Sequence, residues 1–310
     1  MTREALEGAL TWLWSNGTIW LFAFWSLLGL LAWLEFSLPA FQQSPQRQRR
    51  WPTNLGLGIV NAILVPLLPV SAVWGAQWAH DHGIGLLNAL ASPWWTAVVA
   101  TFAIRSLAGY LLHVAMHKIP PLWRLHRVHH LDTHLDVSTS LRAHPLEAVT
   151  QFFILAPVAL LCGLDPWTLA AYEIIESLAS LLSHANLRLP SHLDNALRWI
   201  FVTPNMHCLH HSSYQPETDS NYSQVFSLWD RLFGTYSVAP RAGYEAMTIG
   251  LAEVRDERVS DLWWQIKSPA LAIERLSANV AATHARSQLR PSREKETTRV
   301  PLWPAKESKR

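Results

Sequence analysis

Leu111-Leu-His113-Val-Ala-Met-His117-Lys-Ile-Pro-Pro-Leu-Trp-Arg-Leu-His126-Arg-Val-His129-His130 is the stretch on which the fold turns. An apolar segment, residues 94–112, runs without a polar linker into an HxxxH pattern and then an HxxHH pattern. A third cluster, His207-Cys-Leu-His210-His211, repeats the HxxHH spacing. Helix residues three and four apart share a face, so each cluster turns two or three imidazoles in one direction. Neutral imidazole is a good ligand for iron, zinc, copper and nickel. A lone HxxxH is more often incidental. Two HxxHH triplets beside it, in a chain with 15 histidines among 310 residues, are poorly explained by coincidence. Since three or four imidazoles suffice for one ion, the eight histidines of the three clusters are enough for two metals.

Outward from this stretch the chain is that of a membrane protein. It is 50% hydrophobic and 15% charged, against about 25% charged for soluble domains. Residues 17–38 are apolar and long enough for a bilayer, which needs about 20 residues. The leading segment has two Glu for one Arg, and the apolar run is too long for a signal peptide, so a retained span is expected. A linker, 42–51, carries Arg47, Arg49 and Arg50; a second span, 54–79, is expected to kink at Pro66 and Pro69. The loop 80–93 has no Lys or Arg, and 94–112 is the third span. Residues 148–164 and 166–183, parted by Gly163, Asp165 and Pro166, are short for spans and predict a helical hairpin. Basic residues mark the cytoplasmic side; Arg47, Arg49, Arg50, Lys118, Arg124 and Arg127 then put all three clusters on that one face. The expectation is an all-α integral membrane protein of about three spans plus a hairpin, with a cytosolic His-rich cap holding a dimetal site.

Four segments follow from this: spans and loops over 1–106, a catalytic domain over 107–240, a cytosolic or interfacial helical extension over 241–285, and a basic flexible tail over 286–310. From Leu189 the composition turns soluble. Residues 259–282 predict a surface amphipathic helix with Trp263 and Trp264 at the interface. The net charge of +2 gives no argument for nucleic acid, and two cysteines, Cys162 and Cys208, give no disulfide framework.

Further polar residues are candidates of lower specificity. His184, in Ser183-His-Ala-Asn186, reads equally as another ligand or as a histidine satisfying the free carbonyls at a helix end. Carboxylates at membrane depth are costly, so Glu176, roughly above His184 on a helix, reads as its partner or as a packing contact; Glu173 and Arg105 share that ambiguity. His134 and His144 are candidate outer partners of the ligands. His80, His82, His192 and His284 read as ordinary surface or loop residues.

These residues resemble the fatty acid hydroxylase and sterol desaturase superfamily. The likeness covers residues 107–236 and includes the three boxes in order, Arg142-Ala-His-Pro-Leu-Glu147, Ser183-His-Ala-Asn186, Asp219-Ser-Asn-Tyr-Ser223 and Trp229-Asp-Arg-Leu-Phe-Gly-Thr235. The resemblance implies a helical membrane domain whose cytosolic cap holds two non-haem irons, with zinc able to occupy the site in vitro. The implied ligands are His113, His117, His126, His129, His130, His184, His207, His210 and His211. Arg188 stands one turn beyond His184, where some members carry another histidine. Dioxygen would be the cosubstrate and a bilayer lipid (fatty acyl, sterol or related) the substrate of hydroxylation or desaturation. Electrons are expected from a separate protein, cytochrome b5-like or a ferredoxin with its reductase. The active site would face the cytoplasm, at a bacterial inner membrane or the endoplasmic reticulum. A membrane zinc hydrolase is the competing reading, but HExxH is missing and the boxes hold no carboxylate. A divalent-metal transporter would place its ligands at mid-membrane on broken helices.

Overall fold

The computed structural model describes residues 17–42, 46–69, 71–90 and 93–271, with positions 8 and 273. Helix α1, Gly17–Ser37, has no acidic residue in its first turn and no basic residue in its last, and its outer face exposes Phe22 and Trp33. Glu35 instead turns inward and accepts the Val137 and Asn186 N–H groups at 2.7 and 2.8 Å, tying the span to the cap.

Two sequence expectations fail next. Residues 47–51 are not linker but the first turn of helix α2, Arg47–Leu64. Nor is 54–79 one kinked helix: α2 gives way to a 3-10 turn, Val65–Leu67, and the chain resumes as α3, Ala72–Asp81. Proline lacks the N–H that a helix needs and its ring clashes with the preceding turn. Two prolines three residues apart therefore stop the helix rather than bend it. The Ser71 hydroxyl restarts it by accepting the Trp74 N–H.

Helix α4, Trp94–Lys118, has 25 residues and is about 37 Å long at the usual rise. The residue before a proline is driven out of helical geometry; Ile119 is extended, α4 ends, and Pro120 opens α5, Pro120–His130, at the position where proline is tolerated. The expected hairpin is present as α6, Pro145–Cys162, and α7, Pro166–His184. Gly163 makes its turn at φ +63°, where an added Cβ would sit 2.8 Å from Asn88 Nδ2, and Asp165 caps α7 by accepting the Thr168 N–H. Two short helices follow, α8 (Ser191–Leu197) and α9 (Pro204–His210).

By length and apolarity four segments can cross a membrane: α1, the α2–α3 stretch, α4 and α6. Three match the expected spans and the fourth is the first arm of the hairpin. Among the described residues there is no strand, only three isolated bridges. The protein is an all-helical membrane protein. The anticipated helix over 259–282 is not continuous: a 3-10 turn, a six-residue helix Leu262–Lys267 and another 3-10 turn occupy its described part. That segment packs Val259 and Trp264 on Trp123 and Leu131 of the α5 region. The tail 286–310 lies outside the described residues.

Candidate metal centre

The nine candidate histidines converge in two adjoining groups. His113, His117, His126, His130 and His210 form one; His129, His184, His207 and His211 form the other, and within each group the ligand atoms lie within 4.8 Å of one another. They come from α4, α5, α7 and α9, with His211 at the C-terminal cap of α9. Each HxxHH triplet is split between the groups, which corrects the expectation that a cluster points one way. The rule is helical phase. At roughly 100° per residue, positions i and i+4 differ by about 40° while i+3 falls about 60° to the other side. The i/i+4 pairs 113/117, 126/130 and 207/211 each stay together, and the i+3 members, His129 and His210, cross to the other group. The groups abut, with the His130 and His211 ring centres 4.6 Å apart.

Hydrogen bonds fix which nitrogen faces inward. A carbonyl can only accept, so Nδ1 carries the proton where His113 donates to Tyr222 O (2.6 Å), His129 to Arg142 O (3.1 Å), His184 to Ser180 O (2.7 Å) and His210 to Ser220 O (2.7 Å). His126 donates to Glu147 Oε1 at 2.9 Å and His117 faces Asp219 Oδ1 at 3.3 Å. The Nε2 atoms are then bare lone pairs. Yet Nε2 of His113 and His126 stand 3.0 Å apart, and those of His129 and His184 3.1 Å. Buried lone pairs facing each other with no proton between them are unfavourable unless a cation lies among them. Neither ring nitrogen of His130, nor Nε2 of His210, has a hydrogen-bond partner, although all are buried. Burial and neighbouring imidazoles hold His129, His130, His207 and His211 well below the usual histidine range. Burial pushes His210 down to about 3, against the Ser220 carbonyl. The set is neutral, convergent and lacking protons on its inner face. It fits metal ions.

Residues 98–235 match the family model described as fatty acid hydroxylase. Over those residues the chain is similar to the fatty acid hydroxylase family. An alkylglycerol monooxygenase from Danio rerio is 28% identical over 160 residues, 52% of this chain and 34% of that protein. An ornithine lipid hydroxylase from Rhizobium tropici is 28% identical over 144 residues, 46% and 43% of the two chains. A very-long-chain aldehyde decarbonylase from Arabidopsis thaliana is 31% identical over 180 residues, 53% and 28%. The chain thus spans less than half the length of each of these relatives. No solved structure matches it.

The phrases of sequence between and after the histidine clusters are the scaffold behind the imidazoles. Asp230 accepts the Tyr222 N–H (2.7 Å), the Ser223 N–H (2.9 Å) and the Thr235 hydroxyl (2.7 Å). Asn221 sits at φ +53°, and its side chain donates to Met206 O and Ser237 O, both at 3.1 Å. Together they aim the Ser220 and Tyr222 carbonyls at His210 and His113. On the other side Arg50, fully buried, pairs with both oxygens of Asp132 and with Asp136 Oδ2 at 3.0 Å. Asn54 bridges Asp132 to Arg142, which donates to Val128 O and Val259 O, both at 2.7 Å. This holds the Arg142 carbonyl under His129. Sequence reading missed the roles of Arg50, Asp132, Glu147 and Asp230; the last three lie in or beside the quoted phrases, whereas Arg50 stood out only as a basic residue of the first linker.

Other candidates fall elsewhere. His184 satisfies both readings at once, bonding the carbonyl one turn back through Nδ1 and facing His129 and His207 through Nε2. His144 caps α6: Nδ1 accepts the Leu146 N–H and Nε2 donates to Ile266 O, leaving no nitrogen for the centre. His134 contacts Thr133 and belongs to neither group. Glu176 pairs with Arg105 at 2.6 Å rather than with His184. Arg188 reaches Ala40 O. Burial raises the Cys208 thiol to about 12, so it is a protonated core side chain. His80, His82 and His192 are exposed, and His284 lies outside the described residues. Beside the histidines a cavity of about 350 Å³ has Leu112, Met116, Leu155, Arg105, Glu176 and Gln224 among its lining.

Proposed function

We propose that this chain is a membrane-bound oxidoreductase, a di-iron oxygenase that hydroxylates or desaturates a lipid with dioxygen and electrons from a separate donor protein. The observation that carries this reading is the pair of abutting all-imidazole groups opening onto a cavity between spans α4 and α6 and helix α7. The printed activities of the relatives, lipid hydroxylation and monooxygenation among them, agree with it. Under this reading Nε2 of His113, His117, His126, His130 and His210 would hold one iron, and His129, His184, His207 and His211 the other. Bound iron would supply the redox chemistry that reduces dioxygen and attacks an unactivated C–H bond.

The chain's own part is positioning and exclusion. The Nδ1–H groups of His113, His126, His129, His184 and His210, anchored on carbonyls and a carboxylate, keep those rings turned and their Nε2 atoms unprotonated; such outer partners typically matter about 10–100-fold. Leu112, Met116 and Leu155 offer hydrocarbon contact beside His113 and His126. The positive residues Lys118, Arg124 and Arg127 favour a cytoplasmic face for the centre, where a soluble or membrane-anchored donor can approach.

Protein purified from iron-supplied cells should hold about two irons per chain, and dioxygen uptake should accompany a lipid product that gains one oxygen or loses two hydrogens. His129→Ala and His210→Ala lie in different groups, so each should forfeit one metal while the protein still inserts in the membrane. Turnover with zinc and no dioxygen consumption would sink the oxygenase and favour a hydrolase.

A further inference from the structure

The region after His184 reads as soluble in sequence, yet it carries a concentrated apolar surface. Trp199 is 68% exposed and Leu232 65%, with Ile200, Leu228 and Phe233 also exposed beside them. Two short segments make this surface, joined where Val202 N–H donates to Val225 O at 2.9 Å and Ser227 N–H to Ile200 O at 3.0 Å. Charge is withdrawn from it. Asp230 and Arg198 are buried. The Arg231 guanidinium lies over the Trp199 ring at 4.3 Å and the Tyr236 ring at 3.8 Å and donates to the Arg198 carbonyl.

Its depth is set by α4. Trp229 Nε1 donates to Ser106 Oγ at 3.0 Å, Phe233 stacks on Tyr110 at 5.4 Å, and Phe226 lies 6.4 Å from Phe102. Ser106 and Phe102 precede His113 by seven and eleven residues, which is about 10 and 16 Å further along the helix from the metal end. At those levels α4 is membrane-spanning, and its own outward residues Val99 and Leu111 are exposed and apolar. We propose that residues 199–201 and 226–233 form a wedge sunk into the hydrocarbon of the bilayer, continuous with the lipid-facing surface of α4. A wedge at this depth meets acyl chains, not water, and the Trp199–Arg231–Tyr236 stack has the amphipathic chemistry of a membrane interface. Gln224, two residues before Phe226, lines the cavity beside the histidines, so one wall of that cavity continues into lipid. No single window of spanning length reveals this surface, because it is assembled from two short pieces.

The inference depends on the span assignment of α4 and not on the chemistry proposed above. Spin labels at Leu232→Cys and Ile200→Cys test it, in the full chain carrying Cys162→Ser (Cys208 is buried) and reconstituted in phosphatidylcholine–phosphatidylglycerol nanodiscs. Phe22→Cys on α1 and Asp256→Cys on an exposed turn serve as lipid and water references. The expected result is access to dioxygen and loss of relaxation by a water-soluble nickel chelate, matching Phe22→Cys. Nickel access equal to that at Asp256→Cys overturns the proposal, and shielding from both agents overturns it in favour of cover by protein.

Discussion

A histidine that binds metal must present the correct nitrogen, and here that choice is made one bond outward. Glu147 is the sharpest case, because its carboxylate accepts His126 Nδ1–H of α5 at 2.9 Å. Glu147→Gln keeps the shape but can present an amide N–H to the same ring, which favours the tautomer with Nε2 protonated. Metal affinity of the five-histidine group should fall by about 10–100-fold while the four-histidine group keeps its ion, as metal titration of the purified variant would show. Unchanged affinity would mean that the ring is held by packing alone. At this scale the sequence was half legible. Spacing named the imidazoles of the three clusters, because i/i+4 periodicity leaves its mark in the residues themselves, whereas His184 was named as a ligand only through the family resemblance. It could not name most of their partners, since the carbonyls of Ser180, Ser220, Tyr222 and Arg142 belong to backbone and carry no residue-type signal.

Elements meet through residues whose meaning depends on distant chain. Arg50 looks in sequence like any loop charge on the inner face of a membrane. In the fold it is buried in the first turn of α2, paired with Asp132 82 positions away, and the helix begins early because that pairing draws the turn inward. Removing one partner of a buried ion pair typically costs about 3–5 kcal/mol. Arg50→Ala should therefore lower the melting temperature in detergent, and by loosening Arg142 it should release metal from the four-histidine group first. A melting temperature equal to that of the parent protein would contradict the structural role. The hairpin was easier to foresee, since Gly163, Asp165 and Pro166 each do locally what their residue types favour: a left-handed turn, a cap and a first helical position. Pro66 and Pro69 were legible as a disturbance, but whether a helix bends or breaks depends on what the following segment packs against, and α3 packs on the hairpin.

Across the whole molecule the two groups join four helices, so the protonation of the imidazoles is a property of the fold. In the unfolded chain a histidine titrates near 6.5; in the folded, metal-free protein His210 titrates at about 3 and His129, His130, His207 and His211 are also depressed. The unfolded state therefore binds more protons between these values, and stability must fall as the solution is acidified through that window. Only above about pH 7.5, a full unit over the unfolded value, are these histidines largely neutral in both states and without appreciable slope. Ions bound to the neutral rings stabilise the native state further, but protons compete for the same nitrogens in the unfolded chain and at the site. The metal-free protein should thus melt at a constant temperature from about pH 8.5 to about pH 7.5 and progressively lower below that, with the metal-loaded form higher throughout and losing its advantage as its ions dissociate. Melting curves of both forms across this range decide the matter. A metal-free protein that gains stability on acidification would require charged rings in the native state, and four helices could not then share this buried, neutral centre.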